Sequence, residues 1–364
     1  MFASLRVPKP AYLLSQLRPR RRPDSELQNI LLNVVDSFQL GELLNCYRAP
    51  RSNSLNFILT TTKGKFVFRE HSLSEETVAH EHQVLSFLQQ RKFPVPQMMV
   101  NQAGQAWIQV NGSLCSVYRF VEGFAFTNFI WKPSTYFDLV REAGRTLARY
   151  HKAVSELRPT FYKWDAYQAT EHRRWRDGNL YRQAFETIRS EIEDSATVTP
   201  IDQFVQTHID ELEIFLAAEN RVEECTDLTK LVIHGDYAPW NLLYRPNQAP
   251  FILDFNSARL DLKIFDIILA TFFFAWRDNH LHPARAMAFQ QGYAEVGQVS
   301  EIDVQLADQV FQWLQGRSVA ERLRVHYLEQ RLLPTRAIQS MEKYHQMCLF
   351  AGQNPKQLVA GLIG

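Results

Sequence analysis

The chain has 364 residues, 46% of them hydrophobic and 12% aromatic, enough for two packed cores and against general disorder. Forty basic residues face 39 acidic ones, but six basic and no acidic residues lie in the first 23 positions; the other 34 against 39 make a slightly acidic body, unlike a general nucleic-acid binder. The longest strongly apolar stretch, residues 267–276, is well short of the roughly 20 residues that span a bilayer, and four dispersed cysteines without a CxxC pair give neither a zinc site nor a disulfide framework. No membrane partner is expected, and a reducing, cytoplasmic compartment fits best.

Residues 1–26 read as a basic, disordered leader, with organelle targeting left open. Strand patterns follow. Leu55, Phe57 and Leu59 alternate with Asn56 and Ile58, a turn falls at Lys63-Gly64, and Phe66 and Phe68 resume the alternation as a hairpin. Ser74 is placed to cap a helix in which Val78, Leu85 and Leu88 share one face, and Pro94 and Pro96 stop it. A second hairpin is signalled around Asn111-Gly112, a dipeptide suited to a type I′ turn. Beyond Gly123 helical spacing takes over: Leu139, Ala143 and Leu147 share a face, and similar spacing runs through residues 200–220 and 281–363. The expected domains are an N-terminal lobe at 27–121 and a helical lobe at 122–364.

One region breaks the helical texture. Leu231-Val232-Ile233 delivers HGDYAPWN, residues 234–241, to a loop where Pro239 excludes a regular helix, and Leu242-Leu243-Tyr244 leaves it as a strand. After a turn at Pro246-Asn247, Phe251-Ile252-Leu253 returns to Asp254. A tight hairpin brings Asp236, Asn241 and Asp254 to one end. Two carboxylates and a carboxamide there make an oxygen-donor site suited to Mg²⁺, and phosphoryl transfer asks for little else: a carboxylate for the attacking hydroxyl and metal ligands for the nucleotide phosphates.

HGDxxxxN followed 13 residues after Asn241 by Asp254-Phe255 resembles the catalytic and metal-binding segments of the aminoglycoside phosphotransferases and choline-kinase-like enzymes. The resemblance implies a two-lobed α+β protein-kinase-like fold, with an antiparallel-sheet N-terminal lobe carrying one main helix. It makes Asp236 the catalytic base, Asn241 and Asp254 the Mg²⁺ ligands, and His234 a brace for the loop. Asp266 stands where it can cap a helix; the resemblance implies support of the catalytic loop instead. Asn256 takes the third place of the kinase DFG triplet, with a substrate-facing and a turn role both open.

Glu81 shares the apolar face of Val78 and Leu85, so it needs a buried partner, and Arg69 at the end of the FVFR strand supplies one. The pair resembles the strand lysine and helix glutamate of kinases, with arginine in place of lysine. The phosphate-covering loop is expected at residues 49–57, without glycine, with Ser54 among its donors. The expected cofactors are ATP or GTP with Mg²⁺, and the expected acceptor is the hydroxyl of a small metabolite: an amino alcohol, hydroxy amino acid, sugar or aminoglycoside-like compound. A nucleotide-binding pseudokinase or scaffold is the alternative. His80 and His82 lack the HExxH spacing of zinc proteases.

Overall fold

The computed structural model describes residues 25–49, 55–71, 74–125, 133–157, 178–193, 198–245, 248–329, 333 and 335–363. The basic leader up to residue 24, Ser54 with the tip of the expected phosphate loop, and the Pro246-Asn247 turn lie outside them. Two compact units emerge, one holding the described residues up to 125 together with 239–258, the other holding 133–156, 178–238 and 259–363.

The first unit is built on five antiparallel strands, β1 (Leu43–Arg48), β2 (Leu55–Thr61), β3 (Gly64–His71), β4 (Trp107–Val110) and β5 (Ser113–Arg119), in the order β1-β2-β3-β5-β4. The register pairs Phe57 with Phe68 and Leu59 with Phe66, so one face carries a continuous apolar strip. The turn sits at Thr62-Lys63, one residue before the expected position, because Gly64 already pairs with Thr61. Asn111 and Gly112 both have positive φ, 50° and 82°, as a type I′ turn requires.

Helix α1 (Ser25–Ser37), which sequence reasoning did not identify, covers that strip with Ile30, Leu31, Val34 and Val35. Its signal was present as i, i+3, i+4 spacing just beyond the basic leader. Helix α2 (Glu75–Gln90) starts as expected at Ser74, whose hydroxyl accepts from the Thr77 N–H, and buries Val78, Glu81, Leu85 and Leu88 together.

The second unit is mostly helical. Its centre is the Lys263–Ala275 helix, every residue of which is buried, so the apolar run at 267–276 is largely core. No helix among the described residues is long and apolar enough to cross a membrane. The strands Lys230–Ile233 and Arg259–Leu262 pair antiparallel beside it. The Pro133–Val154 helix, with Leu139, Ala143 and Leu147 buried as expected, crosses the Pro283–Ala294 helix at Gly144 and Gly292.

The crossing leaves no room for side chains. A methyl group at Gly144 would overlap the Phe289 carbonyl, and one at Gly292 the Arg141 carbonyl. Backbone-to-backbone packing therefore fixes how the two helices present His151 and Tyr293. Gly144→Ala is expected to lower unfolding free energy by about 1–3 kcal/mol, since the backbones must separate to admit it. Urea unfolding checks this; an unchanged midpoint and slope would mean the helices re-space without cost.

Candidate active site

In the helical unit, the Lys230–Ile233 strand leads into His234-Gly235-Asp236. Gly235 has φ 75°, a turn that carries a penalty with any Cβ. It aims two successive N–H groups at one carboxylate: His234 N–H donates to Asp266 Oδ2 at 2.8 Å, and Gly235 N–H to Oδ1 at 2.9 Å. His151 Nε2 donates to Oδ2 at 3.1 Å, and its Nδ1 lies 2.8 Å from the Tyr293 hydroxyl. Asp266 is fully buried. Burial pushes its pKa up, but the His151 hydrogen bond and charge and the His234 N–H outweigh that and hold it below the usual carboxylate value.

This geometry decides between the two roles open to Asp266. It lies within the helix, in the first turn, while Leu262 occupies the N-cap position without a side-chain cap. Capping is therefore not its role; it grips the loop. His234 is buried too, and its Nδ1 accepts the Asp236 N–H at 3.3 Å, a bracing geometry. Tyr237, also buried, donates its hydroxyl to the Ala143 carbonyl at 2.8 Å. Asp236, held between these anchors, is only partly buried. His151 and Tyr293 were not singled out from the sequence, and neither sits in a local pattern that marks it.

In the sheet unit, Pro239–Asn241 forms a single 3₁₀ turn, compatible with Pro239 at its start. The strands Leu242–Arg245 and Gln248–Ile252 pair with Leu242 opposite Ile252, and Leu253 N–H donates to the Asn241 carbonyl at 2.8 Å. That register puts Asn241 and Asp254 at one end of the hairpin. Asp236 precedes Asn241 by five residues in the chain. Asp254 itself is left-handed, φ 61° and ψ 75°, an uncommon conformation for a residue with a Cβ.

Arg69, on β3, reaches both carboxylates: Nη2 donates to Asp254 Oδ1 at 3.0 Å, and Nη1 lies 3.9 Å from Glu81 Oε1. The expected pair with Glu81 is present, and the shorter contact is to Asp254. Burial lowers the guanidinium pKa, but Asp254 and Glu81 more than reverse that. For Glu81 burial dominates: it pushes the carboxyl to about 7 against the pull of Arg69. Two buried polar atoms here have no hydrogen-bond partner: Arg69 Nε and Asn256 Oδ1. His80 fastens α2 to the same loop, its Nε2 donating to the Ala258 carbonyl at 2.8 Å.

A strand arginine facing a helix glutamate across an antiparallel-sheet unit, and a braced HGD loop in a helical unit, are the parts of a protein-kinase-like phosphotransferase. A sequence model of the phosphotransferase enzyme family matches residues 47–299, and the chain belongs to that family. It is similar to the homoserine kinase of Afipia carboxidovorans, 23% identical over 282 residues that cover 74% of this chain and 76% of that protein. In fold it is similar to an aminoglycoside phosphotransferase from Alicyclobacillus acidocaldarius, with a TM-score of 0.61, 16% identity and coverage of 95% and 97% of the two chains. Amicoumacin kinase, solved with AMP-PNP, Ca²⁺ and Ami, gives the same TM-score at 12% identity, covering 93% of this chain and 95% of that one. The chain is a small-molecule kinase.

His80 makes the sheet unit sensitive to acid. Burial lowers its pKa to about 4, so the folded protein keeps it neutral while the unfolded chain protonates near 6.5. Between those values unfolding takes up a proton, so its contribution to stability falls as pH falls, by about 1.4 kcal/mol per pH unit. His80→Gln is expected to remove that share of the slope in urea unfolding between pH 6.5 and 4. An unchanged slope would contradict a buried neutral His80.

Proposed function

We propose that the chain transfers the γ-phosphate of ATP to the hydroxyl of a small hydroxy amino acid of the homoserine class, with Asp236 as the catalytic base. The observation that carries the phosphotransferase chemistry is the convergence on Asp254: the hairpin register beside Asn241, the bond from Arg69, and the unpartnered Arg69 Nε and Asn256 Oδ1.

The donor set fits a hard divalent cation. A carboxylate from Asp254 and the carboxamide oxygen of Asn241 would hold Mg²⁺, which supplies charge neutralisation for the β- and γ-phosphate oxygens when bound. The Nε–H of Arg69, buried without a partner while the two Nη atoms face carboxylates, offers a donor to a phosphate oxygen. GTP meets the same phosphate-binding groups, so the choice of base rests with groups other than these.

Asp236 takes the proton from the acceptor hydroxyl as that oxygen forms its bond to the γ-phosphorus and the bond to the β–γ bridging oxygen breaks, releasing the nucleoside diphosphate. His234 and Asp266 hold the Asp236 backbone still while this happens. The similarity to homoserine kinases favours an acceptor that carries its own carboxylate. Tyr344 feels the charges of both Arg322 and Asp236, which puts these side chains in one neighbourhood of the helical unit. The Arg322 guanidinium stands 5.3 Å from the Tyr344 ring and offers a cation for such a carboxylate.

The test is turnover with Mg²⁺ and labelled ATP or GTP over homoserine, amino alcohols, sugars and aminoglycosides. Homoserine-class acceptors are expected to be phosphorylated, and Asp236→Asn to lower kcat by about 10²–10⁴-fold with nucleotide Kd unchanged. Arg322→Leu is expected to raise KM for the amino acid by about tenfold or more and to leave amino alcohols unaffected. Nucleotide binding without transfer to any acceptor would establish the pseudokinase alternative and overturn the proposal.

A further inference from the structure

A second cluster lies in the helical unit and plays no part in the proposed phosphoryl transfer. His208 and Glu211, one turn apart on the Pro200–Ala217 helix, meet His345 on the Thr335–Gln353 helix. The i, i+3 spacing puts the first two on one face. His208 Nδ1 lies 3.3 Å and His345 Nε2 2.6 Å from the same Glu211 oxygen, Oε2. The two imidazole centroids are 4.0 Å apart, and one ligand atom from each of the three residues falls within 4.8 Å of the others.

Two details distinguish this from an ordinary histidine–carboxylate hydrogen bond. First, His345 is fully buried, yet neither of its ring nitrogens has an aligned hydrogen-bond partner; the short approach of Glu211 lies off the N–H direction. Second, a second imidazole crowds onto the same carboxylate oxygen. Two imidazoles converge on one carboxylate oxygen, His208 through a hydrogen bond at 3.3 Å and His345 at 2.6 Å without one, and that convergence is the arrangement of ligands around a shared cation.

The two distances to Glu211 lie near those such an ion needs. Zn²⁺ bonded at about 2.0 Å to tetrahedral ligands separates them by about 3.3 Å. The His208–Glu211 distance already matches, and the shorter His345–Glu211 distance has to open by less than about 1 Å. Glu211, with a side chain 42% exposed, is free to make that adjustment, and partly exposed His208 leaves a fourth position open to water. Two imidazole nitrogens and one carboxylate suit Zn²⁺ far better than Mg²⁺, which takes oxygen ligands.

We infer that His208, Glu211 and His345 form a three-ligand site for a divalent transition-metal ion of the Zn²⁺ class. Water completes its shell, and the ion ties the Pro200–Ala217 helix to the Thr335–Gln353 helix. The inference is independent of the acceptor and of the catalytic roles proposed above.

The full chain, stripped with chelator, is incubated with Zn²⁺ in an excess of Mg²⁺ that occupies oxygen-donor sites, desalted, and its metal counted by mass spectrometry. One Zn²⁺ per chain is expected to remain, Co²⁺ in its place is expected to give the visible absorption of a four-coordinate ion, and the melting temperature is expected to rise on loading. Glu211→Gln and His208→Gln, at partly exposed positions, are expected to fold and melt like the metal-free parent while losing more Zn²⁺ affinity than the roughly 10–100-fold that changes to the partners of metal ligands produce. Absence of retained Zn²⁺ in the parent, or equal retention by both variants, would overturn the inference.

Discussion

The structure of the His234-Gly235-Asp236 loop depends on one buried carboxylate. Asp266 collects the N–H groups of His234 and Gly235 and the ring N–H of His151, so its negative charge is met by three donors rather than by solvent. A carboxylate buried without them would be neutralised or expelled; with them it stays ionised. The consequence is mechanical: a loop that leaves a strand at a left-handed glycine is fixed from beneath, and the next residue, Asp236, is presented with its backbone already bonded to His234. The wider unit exists to keep that carboxylate dry and in place. The wholly buried Lys263–Ala275 helix carries it, while the glycine-lined crossing of Pro133–Val154 with Pro283–Ala294 brings His151 and Tyr293 to it.

The sheet unit handles charge differently. Arg69 is a buried cation between two carboxylates, with Asp254 taking the close contact and Glu81 standing farther off in a setting that favours its protonation. A lysine would offer a single charged centre here. The planar fork of arginine serves both carboxylates and still leaves Nε–H unpaired, the donor that the proposed function assigns to a phosphate oxygen. Asp254 keeps an uncommon left-handed backbone in the middle of this arrangement, as residues at functional sites often do.

What the sequence made legible was local. HGDxxxxN and the following hairpin could be read because the strand runs, Pro239 and the spacing to Asp254 all lie within some two dozen residues. The Glu81–Arg69 pair was also readable, since a glutamate on an apolar helical face demands a partner. What was hidden depended on contacts between distant segments. The choice between cap and support for Asp266 needed the position of His234, and His151, Tyr293 and the His208–Glu211–His345 cluster join positions with no common periodicity. Helix α1 is a different case: its apolar spacing is local, but its first turn, Ser25-Glu26, is polar and falls within the residues 1–26 expected to be a disordered leader.

If Asp236 is the base, Asp266 acts on turnover only through the loop that positions it. A double-mutant cycle on kcat, with Asp266→Asn, Asp236→Asn and the pair at saturating substrates, tests it directly. The account predicts that Asp266→Asn alone slows turnover and adds nothing once Asp236 has been replaced. Independent losses that multiply in the double variant would contradict it.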